Sequence, residues 1–141
     1  MSKKKINIAI IGATGFTGLE LTLLLSKHPN VKIKYLCATK NLGKKISFFD
    51  NRIKKTLPKI CSIKKIDWSL LDLIFLSLPN GQAQKLVSKV FYRYLNLKFI
   101  DLSADFRIFD IHEYKKNYNM KHKCPELLKD TIYSISEFVK K

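Results

Sequence analysis

The sequence predicts a doubly wound α/β domain, with a mainly parallel sheet and helices on both faces, and three observations carry that prediction. A β-branched apolar run, Ile6–Ile11, enters a turn holding Gly12, Gly15 and Gly18, and the helix-forming run Leu19–Leu25 follows directly. Further short apolar runs alternate with a helix-spaced one, the order that builds a parallel sheet. The runs ending near Leu78 and Leu102 are each followed by turn or polar residues. Three loops (Gly12–Gly18, Leu78–Gly81 and Leu102–Arg107) are therefore expected at the carboxyl ends of strands, where ligands gather in such sheets.

Bulk properties agree with one globular domain. At 141 residues the chain can hide about two-thirds of its unfolded surface. Its composition, 46% hydrophobic and 27% charged, excludes an intrinsically disordered chain. The net charge of +16 raises the possibility of a nucleic-acid or anionic-surface partner. However, all but three of the 27 basic residues are lysines, spread along the chain without an aromatic-interleaved stripe. Ile and Asn are frequent too, so we read the excess as codon bias and expect only weak, salt-sensitive nucleic-acid binding. Cys37, Cys61 and Cys124 are odd in number and fit neither a disulfide framework nor a zinc site. No metal site is expected, and all three thiols are read as inert. The basic start Met1-Ser2-Lys3-Lys4-Lys5 leads straight into a strand and lacks a cleavage signal, and no apolar run is long enough to span a membrane. A cytoplasmic setting with no membrane partner is the simplest expectation.

The first strand is expected at about Lys5–Ile11 and the first helix at about Thr17–Lys27, ended by His28-Pro29-Asn30. Between them lies a turn of the kind that holds a dinucleotide. Gly12 lets the chain leave the strand sharply, Gly15 lets a pyrophosphate approach the backbone, and Gly18 lets the helix pack close to the strand. The helix start then offers free N–H groups and a positive dipole end. The spacing, G-x-x-G-x-x-G, matches the generic fingerprint loosely, and glycines also serve ordinary tight turns. Val31–Ala38 reads as the second strand and completes a βαβ unit. An NAD site carries Asp or Glu at about this point. Here Ala38-Thr39-Lys40-Asn41 has no acid, and Lys40, Lys44 and Lys45 suit a 2′-phosphate, so NADP is expected over NAD.

Lys44–Ile53 is expected as a short helix, Leu57–Ile63 as an edge strand and Asp67–Leu71 as a helical turn. Asp72–Leu78 reads as a strand buried on both faces, Gln82–Tyr94 as a helix with one core face, and Lys98–Leu102 as a fourth strand. The following Ser103-Ala104-Asp105-Phe106-Arg107 places a hydroxyl, a carboxylate and a guanidinium at the ligand end of the sheet. Its spacing admits two readings: Arg107 holds an anion in a bidentate fork, or Asp105 and Arg107 pair to brace a loop.

Several stretches together resemble one family, the N-acetyl-γ-glutamyl-phosphate reductases of arginine biosynthesis. They are Gly12-Ala13-Thr14-Gly15-Phe16-Thr17-Gly18-Leu19-Glu20, His28-Pro29, Leu76-Ser77-Leu78-Pro79-Asn80-Gly81 and Ile100-Asp101-Leu102-Ser103-Ala104-Asp105-Phe106-Arg107. Cys124-Pro125-Glu126-Leu127-Leu128 and Tyr133-Ser134-Ile135-Ser136-Glu137 are similar to the stretches that follow in the family. The Ser103–Arg107 run separates this family from the aspartate-semialdehyde dehydrogenases. Three positions depart from the family pattern: Asn80 stands for a usual His, Ser134 for a usual Gly and Ser136 for a usual Pro.

The resemblance implies an NADP-binding Rossmann-like domain over residues 1–141, with the family's catalytic and oligomerisation domain missing. It implies an oxidoreductase reaction, NADPH-dependent reduction of an acyl phosphate to N-acetyl-L-glutamate 5-semialdehyde through a cysteine nucleophile. That nucleophile lies in an Asn-Pro-Gly-Cys motif, which this sequence does not contain, so no catalytic residue is assigned and the chain alone is expected to be inactive. A homo-oligomer is implied for the family. The expected NADP(H) contacts are Gly12, Ala13, Thr14, Gly15, Phe16, Thr17, Gly18, Thr39, Lys40, Leu78 and Pro79, and the expected substrate contacts are Ser103 and Arg107. The alternative is a free-standing NADP(H)-binding module or partner subunit without catalysis.

Overall fold

A computed structural model describes residues 4–133. The basic start Met1-Ser2-Lys3 and the Ser134–Glu137 part of the family-like stretch lie outside the described residues. Four strands form one sheet: β1 (Ile6–Ile11), β2 (Val31–Cys37), β3 (Leu73–Leu76) and β4 (Lys98–Asp101), in the order β2-β1-β3-β4. Every neighbouring pair is parallel. Helix α1 (Phe16–Lys27) joins β1 to β2, and α2 (Gln82–Val90) joins β3 to β4. The two crossovers run in opposite directions along the sheet. Right-handed connections therefore place the helices on opposite faces, the doubly wound arrangement expected from the sequence.

The two-residue period of β1 divides the core. Ile8 and Ile10 pack with Leu23, Ile33 and Leu36 under α1. Ala9 and Ile11 pack with Ile74, Leu76, Ala83, Val87 and Val90 under α2. Both faces of β1 are covered, and its continuous apolar sequence reflects that. The third strand is shorter than expected and is fully buried on one face only. Ile74 and Leu76 face α2 and are buried, whereas Leu73 and Phe75 remain half-buried because α1 packs on β1 and β2.

Three other expectations change. The edge strand over 57–63 reduces to a single parallel bridge between Cys37 and Cys61. Pro58 has no N–H to give a ladder, and the segment is held instead by burial of Ile46, Ile53 and Ile60 in the α1-side core. The helix expected over 44–53 shrinks to the 3-10 turn Ile46–Phe48, since its apolar residues serve that packing. Helix α2 stops at Val90, and Phe91–Arg93 tightens into a 3-10 turn that brings Leu97 back to start β4.

A third helix, α3 (Ile111–Tyr118), is one that the sequence reading does not assign. The Asp110 carboxylate caps it by accepting from the N–H groups of His112 (2.8 Å) and Glu113 (2.9 Å). The Asp110-x-x-Glu113 spacing is the legible signal for it. No helix among the described residues is long and apolar enough to cross a membrane.

Candidate functional site

The sheet order reverses between β1 and β3, and the glycine turn leaves β1 at that point. Gly12 is left-handed, with φ 89°, and a Cβ there would overlap the Ser77 carbonyl, lying 2.8 Å from its carbon. Its N–H and that of Ala13 both donate to the Cys37 carbonyl, at 2.9 and 3.0 Å. The turn is thus clamped between the ends of β2 and β3. Gly18 is buried, and a Cβ on it would lie 2.8 Å from the Ala13 Cα. Gly15 differs from both: it is exposed, and the nearest atom to an added Cβ is the Gly12 carbonyl oxygen at 3.6 Å.

The first α1 hydrogen bond runs from the Leu19 N–H to the Gly15 carbonyl at 2.8 Å. The N–H groups of Phe16, Thr17 and Gly18 precede it and lie at the helix end. No side chain caps this end and its first turn holds no acid, so the chain itself leaves the positive end of the dipole uncompensated. Phe16 is 93% exposed and Thr17 is exposed, whereas Ala13 is fully buried and can meet a ligand only through its backbone. Thr39 and Lys40 leave the end of β2 exposed beside this turn, and Leu78 and Pro79 continue from Ser77 on its other side.

The loop after β4 is organised by a buried carboxylate. Asp105 is fully buried. It accepts from the Gly81 N–H (2.7 Å), the Gln84 N–H (3.0 Å) and the Tyr114 hydroxyl (3.1 Å). It therefore caps α2 from a distance of 24 residues and ties the Pro79–Gly81 turn to the Ser103–Arg107 loop. Tyr114 in turn accepts from Gln84 Nε2 at 2.7 Å, and the Lys123 N–H donates to Gln84 Oε1. Burial first, then the adjacent Asp105 carboxylate, pushes the Tyr114 hydroxyl up to about 12, so it stays a proton donor at neutral pH. Nothing local in the sequence around Tyr114 signals this partnership.

The suggested Asp105–Arg107 pair does not form. Arg107 is exposed; its Nε donates to the Ser103 carbonyl (2.9 Å) and its Nη2 to the Leu102 carbonyl (3.4 Å). Its own loop carbonyls orient the guanidinium. The Ser103 hydroxyl donates to Asp101 Oδ2 (2.8 Å) and accepts from the Asp105 N–H (3.2 Å), so its one proton is committed inside the loop. Burial raises the Asp101 carboxyl above its usual range, opposed by the two Ser103 hydrogen bonds.

Burial pushes the Cys124 thiol up to about 12, with the nearby Glu126 and Asp105 charges adding to it, which agrees with an unreactive thiol. Cys37 and Cys61, whose spacing suggests no disulfide framework, are neighbours with sulfurs 3.7 Å apart. Among the described residues, no group of three His, Cys, Asp or Glu side chains is placed to hold a metal ion.

Known proteins resemble this chain over most of its length. The family model described as semialdehyde dehydrogenase, NAD binding domain, matches residues 7–141. An N-acetyl-gamma-glutamyl-phosphate reductase of Ehrlichia ruminantium (strain Gardel) is 46% identical over 136 residues, 94% of this chain. A probable chloroplastic N-acetyl-gamma-glutamyl-phosphate reductase of Oryza sativa subsp. japonica is 36% identical over 99% of the chain. The chain spans 38% of the Ehrlichia protein's length and 33% of the rice protein's. Among solved structures, aspartate semialdehyde dehydrogenase with NADP from Candida albicans superposes with a TM-score of 0.56 at 25% identity. That match covers 74% of this chain and 31% of the other.

Proposed function

This chain belongs to the semialdehyde dehydrogenase NAD-binding domain family, and from that premise we propose that it is the NADP(H)-holding part of an N-acetyl-γ-glutamyl-phosphate reductase. The observation that carries the reading is the open α1 end at Gly15, set in a turn that β2 and β3 clamp from both sides. A Cβ at Gly12 or Gly18 would strike protein, whereas at Gly15 it would meet only the Gly12 carbonyl oxygen, in ordinary contact at 3.6 Å, at a helix N-terminus. That cradle fits a pyrophosphate, with the Phe16, Thr17 and Gly18 N–H groups as donors and Thr14 at its rim. Thr39 and Lys40, with no acid nearby in sequence, suit the 2′-phosphate of NADP(H). Leu78 and Pro79 form the opposite wall. When bound, NADPH supplies the hydride for reduction of an acyl phosphate.

Arg107 is our candidate for the substrate's anionic group, because its guanidinium is exposed and aimed by the Leu102 and Ser103 carbonyls. Ser103 acts by shaping that loop, since its hydroxyl proton already goes to Asp101. The thiol the family reaction requires is not supplied by Cys37 or Cys124, which are buried, nor by Cys61, which lies beyond β2 at the opposite edge of the sheet from the Arg107 loop. The 141-residue chain is therefore expected to bind NADPH without reducing N-acetyl-glutamyl phosphate. Steady-state NADPH oxidation above background would overturn the claim that its own cysteines cannot start the reaction.

Cofactor choice has its own test. Lys40→Ala is expected to weaken NADP⁺ binding about fivefold while leaving NAD⁺ binding nearly unchanged, the effect of one exposed charge on a phosphate. Calorimetric titration with both nucleotides checks it, and equal losses for the two would remove Lys40 from the 2′-phosphate.

A further inference from the structure

We propose that Cys37 and Cys61 form a redox-responsive thiol pair that closes into an intramolecular disulfide at the end of β2, beside the glycine turn. Two observations and the general spacing of strands support it without reference to the cofactor. The two residues are direct partners in a parallel bridge, with the Cys61 N–H on the Leu36 carbonyl at 2.9 Å and the Ala38 N–H on the Cys61 carbonyl at 3.2 Å. Adjacent strands lie about 4.8 Å apart, within the roughly 4.4–6.8 Å Cα separation that disulfides span. The two sulfurs already face each other at 3.7 Å, so closure to about 2.05 Å needs side-chain rotation rather than strand movement.

The site is asymmetric. Cys37 is 1% exposed and its thiol is raised by burial, whereas Cys61 is half-buried and open to a small oxidant. Glutathione disulfide supplies a balanced route. The Cys61 thiolate attacks one glutathione sulfur, forming a mixed disulfide as the other glutathione leaves as a thiolate. Cys37 then gives up its proton to that departing thiolate and attacks the Cys61 sulfur, expelling the second glutathione. Two protein thiols become one disulfide, and one glutathione disulfide becomes two glutathione thiols.

The consequence is local. Residues 38–60 contain no strand among the described residues, only the Ile46–Phe48 turn, and are held by the Ile46, Ile53 and Ile60 contacts. A bond between Cys37 and Cys61 would tie the two ends of this segment together. It would also pin the Cys37 carbonyl that receives the Gly12 and Ala13 N–H groups.

The test treats the intact 141-residue chain with glutathione disulfide, quenches with acid, denatures and alkylates. We expect one alkylated cysteine, Cys124, and a tryptic species linking Tyr35–Lys40 to Ile60–Lys64. In C61S, Cys37 should stay free of glutathione, since its partner takes the first step. The bridged chain should melt about 10 °C above the reduced one and return on reduction with dithiothreitol. Three alkylated cysteines, glutathione retained on Cys61, or a Cys61–Cys61 dimer would each overturn the pair. A bridged form that melts no higher would overturn its role as a clasp.

Discussion

Gly12→Ala is expected to remove about 3–5 kcal/mol of folding stability, enough to leave a domain of ordinary stability mostly unfolded at mild denaturant. Two costs combine. The backbone at Gly12 sits at φ 89°, a region that L side chains enter at a cost of about 1–2 kcal/mol. The added methyl would overlap the Ser77 carbonyl, which belongs to the chain leaving β3 and cannot rotate aside. Relief requires β1 and β3 to separate at their carboxyl ends, where the Ser77 N–H donates to the Ile11 carbonyl at 2.8 Å. Urea unfolding followed by circular dichroism reads the loss directly.

Gly15→Ala provides the contrast. Its Cβ would meet nothing closer than 3.6 Å, and φ at Gly15 is −78°, so stability should hold within about 0.5 kcal/mol. The same methyl would project at the α1 end, and NADPH binding should fall at least about tenfold. A Gly15→Ala chain that folds normally and binds NADPH as tightly as the parent would remove the pyrophosphate from this turn. A Gly12→Ala chain as stable as the parent would show that the contact with Ser77 relaxes at no cost.

Asp105→Ala carries the second large effect, a loss of about 3–4 kcal/mol. The substitution leaves the buried Gln84 N–H and Tyr114 hydroxyl and the half-buried Gly81 N–H without their acceptor. Each such orphan costs about 1–3 kcal/mol, and partial water entry keeps the sum below the full total. Asp105→Asn keeps the shape but turns an amide toward one of the three donors, and should lose about half as much. The Tyr114→Phe chain removes only one of the three bonds and should lose least. Hydrogen exchange adds a positional readout: the Gly81 and Gln84 amides should exchange faster in Asp105→Ala, while those of β1 follow global stability alone. Unchanged protection at those two amides would mean that α2 is capped by something else.

Asp105 also explains why a loop after β4 matters to a turn after β3. The carboxylate holds the Pro79–Gly81 turn and the Ser103–Arg107 loop in one hydrogen-bonded unit. Arg107 is then free of Asp105 and is directed by backbone carbonyls alone. Of the two readings that spacing left open, bracing belongs to Asp105 with partners in α2 and α3, not to an Asp105–Arg107 pair.

What the sequence by itself determined is the βαβ unit, the glycine turn between its first two elements and the doubly wound class. Those features rest on local periodicity and on a glycine spacing contained in seven residues, although the Ser77 carbonyl that makes Gly12 obligatory comes from the end of β3. The family resemblance was legible for the same reason, since its motifs are contiguous. The third strand, α2 and the fourth strand were placed to within a few residues by their apolar runs. What only the tertiary structure decided is every partnership across a long sequence distance. Asp105 meets Gly81 from 24 residues away, Gln84 meets Tyr114 from 30, and Cys37 meets Cys61 from 24. Packing also decided that 57–63 is one bridge rather than a strand, and that Ser103 spends its proton on Asp101. The physical reason is common to all of these. Periodicity records which face of an element is buried, but a buried polar group is satisfied by whichever donor or acceptor the fold brings to it.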